Sequence, residues 1–181
     1  MYHSAITAMT AANKLARRLR TICDRYRARL IVNDRIDVAI AAHADGVHLP
    51  ANSFAVADAR ALIGHERMVG VSTHDAAEVA AAEKAGADFV VYGPVFDPLS
   101  KGAYTVARGA DGLIAACRAA SIPVFGLGGI TAARVRELSA AIAADDARHK
   151  RPAGIAVIGS VFDAPDPAAA TRDLLDTLAP W

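Results

Sequence analysis

The stretch IPVFGLGGIT, residues 122–131, is followed further along by AGIAVIGSVF, residues 153–162. Each is an apolar, β-branched run that stops on glycine. Near-continuous apolar runs of this kind suit parallel strands covered on both faces, not strands with one wet side. Working outward, the same pattern recurs at RLIVN (29–33), GVHL (46–49), MVGVS (68–72) and DFVVYGPV (88–95), with IPVFGLG (122–128) and GIAVIGS (154–160) as the last two strands. Between them lie Ala-rich stretches with helical spacing at 8–27, 35–43, 54–63, 75–85, 109–120, 131–144 and 166–178. The first carries Leu15, Leu19, Ile22 and Tyr26 on one face, with Arg and Lys on the other. Thr131 and Asp166 stand where N-caps belong, and Gly86 where a C-cap glycine belongs.

Strand–helix alternation with right-handed crossovers gives an α/β protein. Six strands and a leading helix are two strands and a helix short of a (β/α)₈ TIM barrel; the other option is an open doubly wound sheet. No GxGxxG follows the first strand, which weakens a dinucleotide-binding reading. The stretch AAIAADDARHKRPAG (140–154) reads as an insertion before the last strand, and no linker divides the chain, so a single domain over 1–181 is expected.

Composition narrows the function classes. The chain has 181 residues, 54% of them hydrophobic, which is enough for a sizeable core. A formal charge of +1 without a long charge run gives nucleic acid little support as a partner. No apolar run reaches the ~18 residues of a membrane span, and the N-terminus lacks the apolar stretch and cleavage site of a signal peptide. Cys23 and Cys117 are isolated, which argues against a disulfide scaffold and fits a reducing cytoplasm. His43, His65 and His149 show no paired ligand spacing for zinc.

In barrels of this class a phosphate often binds at the C-terminal ends of the last two strands. Glycine lets the backbone approach an anion closely, and N–H groups near a helix N-terminus supply donors. Gly128, Gly129, Gly159 and Ser160 fall at those ends. The alternative is that they only make tight strand–helix turns. By the same rule Asn33 and Asp34 end the first strand, His48 lies inside the second, Ser72, Thr73 and His74 end the third, and Lys101 follows the fourth in FDPLSKG (96–102). On a barrel these would converge on one rim.

LIVNDRIDVAIAAHADGVHLP (30–50), VGVSTHDAAEVAAAEKAGADFVVYGPVF (69–96), PVFGLGGIT (123–131) and GIAVIGSVFDAPDPAAA (154–170) resemble the thiamine phosphate synthase/TenI superfamily, from about residue 12 to the C-terminus. The resemblance implies a (β/α)₈ barrel, here N-terminally truncated, with about six of eight strands visible. It implies one of two activities. The synthase joins hydroxymethylpyrimidine diphosphate to thiazole phosphate with Mg²⁺, releasing diphosphate. The TenI branch tautomerises a thiazole carboxylate phosphate and needs no cofactor. Both bind the thiazole phosphate, which assigns Gly128, Gly129, Ile158, Gly159 and Ser160 to a phosphate cradle. Many synthases have serine at Gly159, so here the backbone N–H would serve.

Departures from the pattern cluster on the diphosphate half. The family's Gln-x-Arg-x-Lys motif should fall at residues 1–5, which read MYHSA, with His3 and Ala5 in the cationic positions. Asp34 matches one metal carboxylate, but the second falls on Ser53. The loop Pro-Thr-x-Thr-Lys becomes Asp97, Pro98, Leu99, Ser100, Lys101, keeping Lys101 and a hydroxyl at Ser100. With the thiazole phosphate half intact, this asymmetry favours a TenI-like protein. A synthase is the alternative, and a non-catalytic protein that binds thiazole or thiamine phosphate is the third reading.

For a tautomerase, His74 beside Ser72 is the candidate acid/base, because a group titrating near neutrality suits proton transfer; the competing role is to cap the helix that follows. For a synthase, Lys101 and Mg²⁺ stabilise the departing diphosphate, Asn33 contacts the pyrimidine or its diphosphate, and Asp34 holds the metal. Tyr92 and Phe96 read as packing residues, and His48 either as core or as a support behind the site residues. The missing strands would leave edges unpaired; a misassigned start, a trimmed chain or a homodimer would each account for them.

Overall fold

The structure, a computed structural model, describes residues 2–97, 106–145 and 150–178, with side chains from residue 10 onward. The elements are α1 (Tyr2–Tyr26), β1 (Ile31–Asn33), α2 (Ile36–Ala41), β2 (Gly46–Leu49), α3 (Val56–Ile63), β3 (Met68–Thr73), α4 (Ala76–Lys84), β4 (Phe89–Tyr92), α5 (Gly109–Ala119), β5 (Val124–Leu127), α6 (Ala132–Ala144), β6 (Gly154–Ala156), α7 (Gly159–Phe162) and α8 (Pro167–Leu178). The six strands of the sheet are ordered as they are in the chain. The expected alternation is thus present. It falls into two compact units, Met1–Val71 with Ala85–Asp88, and Ser72–Lys84 with Phe89–Trp181.

In the first unit β1 pairs in parallel with β2, and β2 with β3, aligning Val32, Val47 and Val69. Val47, Leu49 and Val69 are fully buried, as strands covered on both faces require. One device recurs at two strand starts. Asp45, just before β2, donates its N–H to Leu30 O (2.9 Å), and its carboxylate accepts from Leu30 N (2.6 Å) and from Arg20 of α1 (2.5 Å). Asp88, just before β4, does the same with Val69 O (2.8 Å), Val69 N (2.7 Å) and Arg60 of α3 (2.5 Å). Each aspartate pins the start of a neighbouring strand to a helix.

The leading helix differs from expectation. It already runs from Tyr2, so positions 3 and 5, matched above to a strand-end motif, are helical; the side chains of His3 and Ala5 lie outside the described residues. Its apolar stripe does not face the core: Leu15 is 56% exposed, Ile22 53% and Tyr26 69%. The helix packs instead through the small residues Ala12 and Ala16, against Val32, Val38 and Ala42. Small side chains permit close approach there, while Leu15 and Leu19 flank the contact and line an open groove with Leu30, Ile31 and Val32.

In the second unit β4 pairs in parallel with β5, and β5 with β6. Ile130, Val135 and Leu174 form a core with Phe96, Ile155 and Val157 packed on it. The N-caps are as read from the sequence. Thr131 Oγ1 accepts from Arg134 N (3.3 Å), and Asp166 Oδ1 from Ala169 N (2.9 Å). Gly86 has φ +92°, as a C-cap glycine should. The last strand is shorter than expected, because the chain leaves the sheet after Ala156 and turns into α7 at Gly159. Among the described residues no helix is long and apolar enough to cross a membrane.

Candidate active site

The first unit gathers one polar cluster at the ends of β1 and β2. Asn33 and His48 lie in register on these strands, and Asn33 Oδ1 sits 2.8 Å from His48 Nδ1. Asn33 as acceptor calls for the proton on Nδ1. Burial lowers the imidazole pKa, so the ring stays neutral at pH 7. Asp34 follows at φ +62°, a left-handed conformation that Asp tolerates better than most residues. Its N–H donates to His48 O (2.8 Å), and its Oδ1 accepts from Ser53 Oγ. Asn33, Asp34, His48 and Ser53 are therefore one hydrogen-bonded group. Arg35 of the NDR run makes a bidentate pair with Asp37 (2.8 and 2.6 Å).

The carboxylate of Asp34 and the hydroxyl of Ser53 form a modest hard-oxygen donor set. Mg²⁺ commonly uses one or two carboxylates plus substrate phosphates, so this pair fits an ion that arrives with a diphosphate, not a closed protein cage. Among the described residues no three His, Cys, Asp or Glu side chains gather as a metal site.

The second unit holds the other residues. Ser72 is half-buried at the end of β3, and Thr73 beside it is 1% exposed. The capping role weighed for His74 belongs to its neighbour: Asp75 Oδ1 accepts from Glu78 N (2.8 Å), while Glu78 Oε2 reaches back past the cap to accept from His74 N (2.7 Å). The His74 ring is freed for another task, and its Nδ1 lies 3.0 Å from Glu78 Oε2. That carboxylate fixes the ring's orientation.

The glycine turns come together as expected. Leu127–Ile130 and Ala156–Ser160, with Asp163, line one cavity of about 290 Å³. Gly128 and Gly129 have φ of +101° and +59°. A Cβ at Gly128 would come within 2.7 Å of Pro94, and one at Gly129 within 2.6 Å of Arg134 Nη1 and closer still to Asp97 O. Both the backbone conformation and the space therefore require glycine. Ile158 is exposed at the cavity, and Gly159 presents bare backbone. Ser100 and Lys101, with Pro98 and Leu99, lie outside the described residues. Tyr92 is buried as a packing residue, and Cys117 is a buried thiol whose pKa burial pushes up to about 11.

Of the two readings of His48, its bond to Asn33 favours the supporting one. Two further residues of these clusters escape a reading of the sequence. Arg134 donates to Gly129 O (2.6 Å) and Asp97 O (3.1 Å). Asp163 brings Oδ2 within 2.9 Å of a Cβ built on Gly159. Its spacing of four from Gly159 points there only once α7 is known to be helical.

A family profile described as thiamine monophosphate synthase matches residues 7–161. A Geobacter sulfurreducens protein described as a candidate thiamine-phosphate synthase is 45% identical over 167 residues, covering 92% of this chain and 74% of its own length. The thiamine-phosphate synthase of Salinispora tropica is 41% identical, with 92% and 76% covered. The chain spans only 33% of another relative, the bifunctional ThiM/ThiE protein of Symbiobacterium thermophilum, at 41% identity. Among solved structures, the thiamine phosphate pyrophosphorylase from Pyrococcus furiosus superimposes with a TM-score of 0.82 at 30% identity, covering 94% of this chain and 77% of that one. The strand-end turns, the NDR-to-HL cluster and these likenesses lead to one conclusion: the chain belongs to the thiamine monophosphate synthase family.

Proposed function

We propose that the protein acts as a thiamine-phosphate synthase, joining hydroxymethylpyrimidine diphosphate to a thiazole phosphate. The observation that carries this reading is the likeness, over 92% of the chain, to relatives named as thiamine-phosphate synthases; the cavity between the Gly128–Gly129 and Ile158–Ser160 turns supplies a place for the thiazole phosphate that the resemblance assigns there. The names borne by the relatives weigh toward the synthase over the TenI-like branch, reversing the preference drawn from the altered diphosphate residues. Those alterations are compatible with a slower synthase.

In this reading the C–O bond to the diphosphate breaks, and the thiazole nitrogen forms the new C–N bond. The glycine turns hold the thiazole by its phosphate. Asn33, oriented by His48, contacts the pyrimidine or its diphosphate. Asp34 and Ser53 would hold Mg²⁺, which when bound supplies positive charge to the leaving group. Lys101 and Ser100 contribute a cation and a donor on the same leaving group. Purified protein given both substrates and Mg²⁺ should form thiamine phosphate and diphosphate in equal amounts. Failure to form either product, with a relative active in parallel, rejects the synthase reading.

The His74–Glu78 pair favours a second reading, the tautomerase, because a carboxylate-oriented imidazole is suited to moving a proton. In that case His74→Asn abolishes tautomer turnover, and neither thiamine phosphate nor a Mg²⁺ dependence is seen. Binding of thiazole phosphate without turnover of either kind would mark the third reading, a binding protein.

Asp163 lines the same cavity that this reading gives to the thiazole phosphate. A like charge at this range, in a largely solvated setting, weakens a phosphate by a modest factor. Asp163→Asn should tighten thiazole phosphate by about three- to fivefold, and less at high salt. Titration calorimetry at two ionic strengths checks this; unchanged or weaker binding counts against a phosphate in the cavity.

A further inference from the structure

We propose that Arg134 is the positioning residue of the phosphate turn, an inference that rests on the cavity holding the thiazole phosphate. Arg134 lies in the first turn of α6, its own N–H bonded to Thr131 Oγ1. Its Nη1 donates to Gly129 O at 2.6 Å and to Asp97 O at 3.1 Å, and its guanidinium lies 4.9 Å over the Phe96 ring. One planar group thus joins the turn after β5 to the segment after β4. The same two segments are also stitched by Val95 N to Leu127 O (2.7 Å) and Phe96 N to Gly128 O (3.1 Å).

The consequence follows from peptide geometry. In a planar trans peptide the C=O and the next N–H point in opposite directions. Holding Gly129 C=O on Arg134 therefore aims the Ile130 N–H away from Arg134. Two consecutive glycines would otherwise give the turn wide freedom, since each can adopt either sign of φ at little cost. Ordering that turn before the ligand arrives removes an entropic cost that binding would have to meet. Lysine cannot replace the arrangement. It keeps the charge, but lacks the planar fork that stacks on an aromatic ring.

The test compares wild type, Arg134→Met and Arg134→Lys, each as the full chain, with thiazole phosphate and its unphosphorylated alcohol as calorimetric ligands. Unfolding midpoints are measured alongside. Arg134→Met should bind thiazole phosphate about tenfold more weakly, with the alcohol unchanged, and raise KM for thiazole phosphate while leaving kcat within about twofold. Arg134→Lys should recover less than half of the loss on a logarithmic scale. Should Arg134→Met fail to fold, Arg134→Lys carries the same comparison. Wild-type affinity in Arg134→Lys would show that charge alone suffices and overturn the positioning role. So would an equal loss for the phosphate and the alcohol, which marks a general structural effect. If wild type binds neither ligand better with the phosphate than without it, the cavity assignment itself falls, a result separable from failure of Arg134 alone.

Discussion

Gly129→Val is expected to weaken thiazole phosphate binding by about a hundredfold or more, while the chain still folds. Two independent costs meet at this position. A β-branched residue at φ +59° is strained by its own backbone, on the order of 1–3 kcal/mol. Its Cβ would also collide with Asp97 O and press on Arg134 Nη1, 2.6 Å away. Backbone oxygen cannot swing aside like a long side chain, so the turn must move, and with it the cavity lining of Gly128, Gly129 and Ile130. Gly64→Ala separates the two costs. Gly64 has φ +77°, but a Cβ there meets nothing within 4 Å. It should lower stability by about 1 kcal/mol and leave the ligand's affinity unchanged. Calorimetry with thiazole phosphate and thermal unfolding of both variants decide the matter. If Gly129→Val binds within a few fold of wild type, the phosphate does not lie on this turn.

The turns themselves were legible because apolar runs ending on glycine are a local signal, and local signals survive in one dimension. Thr131 and Asp166 were legible as caps for the same reason: the acceptor and its donor are three residues apart. What the sequence hid depends on which surfaces meet. The stripe Leu15, Leu19, Ile22 and Tyr26 has helical period, and period tells which face is apolar, not what covers it; α1 packs through alanines instead. Asp75 rather than His74 caps α4, because its carboxylate accepts from Glu78 N, one residue later than expected. His48, read as either core or a support behind the site, is decided by strand register, which sets it beside Asn33. Arg134 was missed because two of its three partners, Asp97 and Phe96, are more than thirty-five residues earlier in the chain, and the near one, Gly129 O, is a backbone group that leaves no mark in the sequence. The choice of activity turned on the contrast between an altered diphosphate half and an intact thiazole phosphate half, whereas the likeness to relatives named as synthases covers 92% of the chain and weighs the other way.

The largest stability effect among single polar substitutions is expected at the paired aspartates. Asp45→Ala or Asp88→Ala should each cost about 2–3 kcal/mol, a figure discounted for the partial exposure of both carboxylates. Each removal orphans an N–H at a strand start, Leu30 or Val69, and takes the carboxylate from an arginine whose side chain is only 18% or 15% exposed and which keeps other partners, Asp24 for Arg20 and backbone carbonyls for Arg60. Leaving buried donors unmet costs more than the lost bond is worth. For a chain of this size, that is a fall in Tm of about 5–10 °C. Asp45→Asn retains an acceptor and should cost about half as much. Asp24→Ala is the control: Asp24 pairs with the same Arg20, but its side chain is 65% exposed, and its loss should stay within about 0.5 kcal/mol. Burial alone would raise the Asp45 carboxyl, yet Arg20 and the Leu30 N–H together hold it below the usual 3.8. A carboxyl whose folded pKa is depressed stabilises the fold above its unfolded value, and that contribution is lost as pH falls through the folded one. The gap between wild type and Asp45→Ala should therefore be widest near neutrality and narrow below about pH 4. Denaturant unfolding at pH 7 and pH 3.5 measures both. A gap under 0.5 kcal/mol at pH 7, or one that widens in acid, would mean that the aspartates do not anchor the strands to α1 and α3.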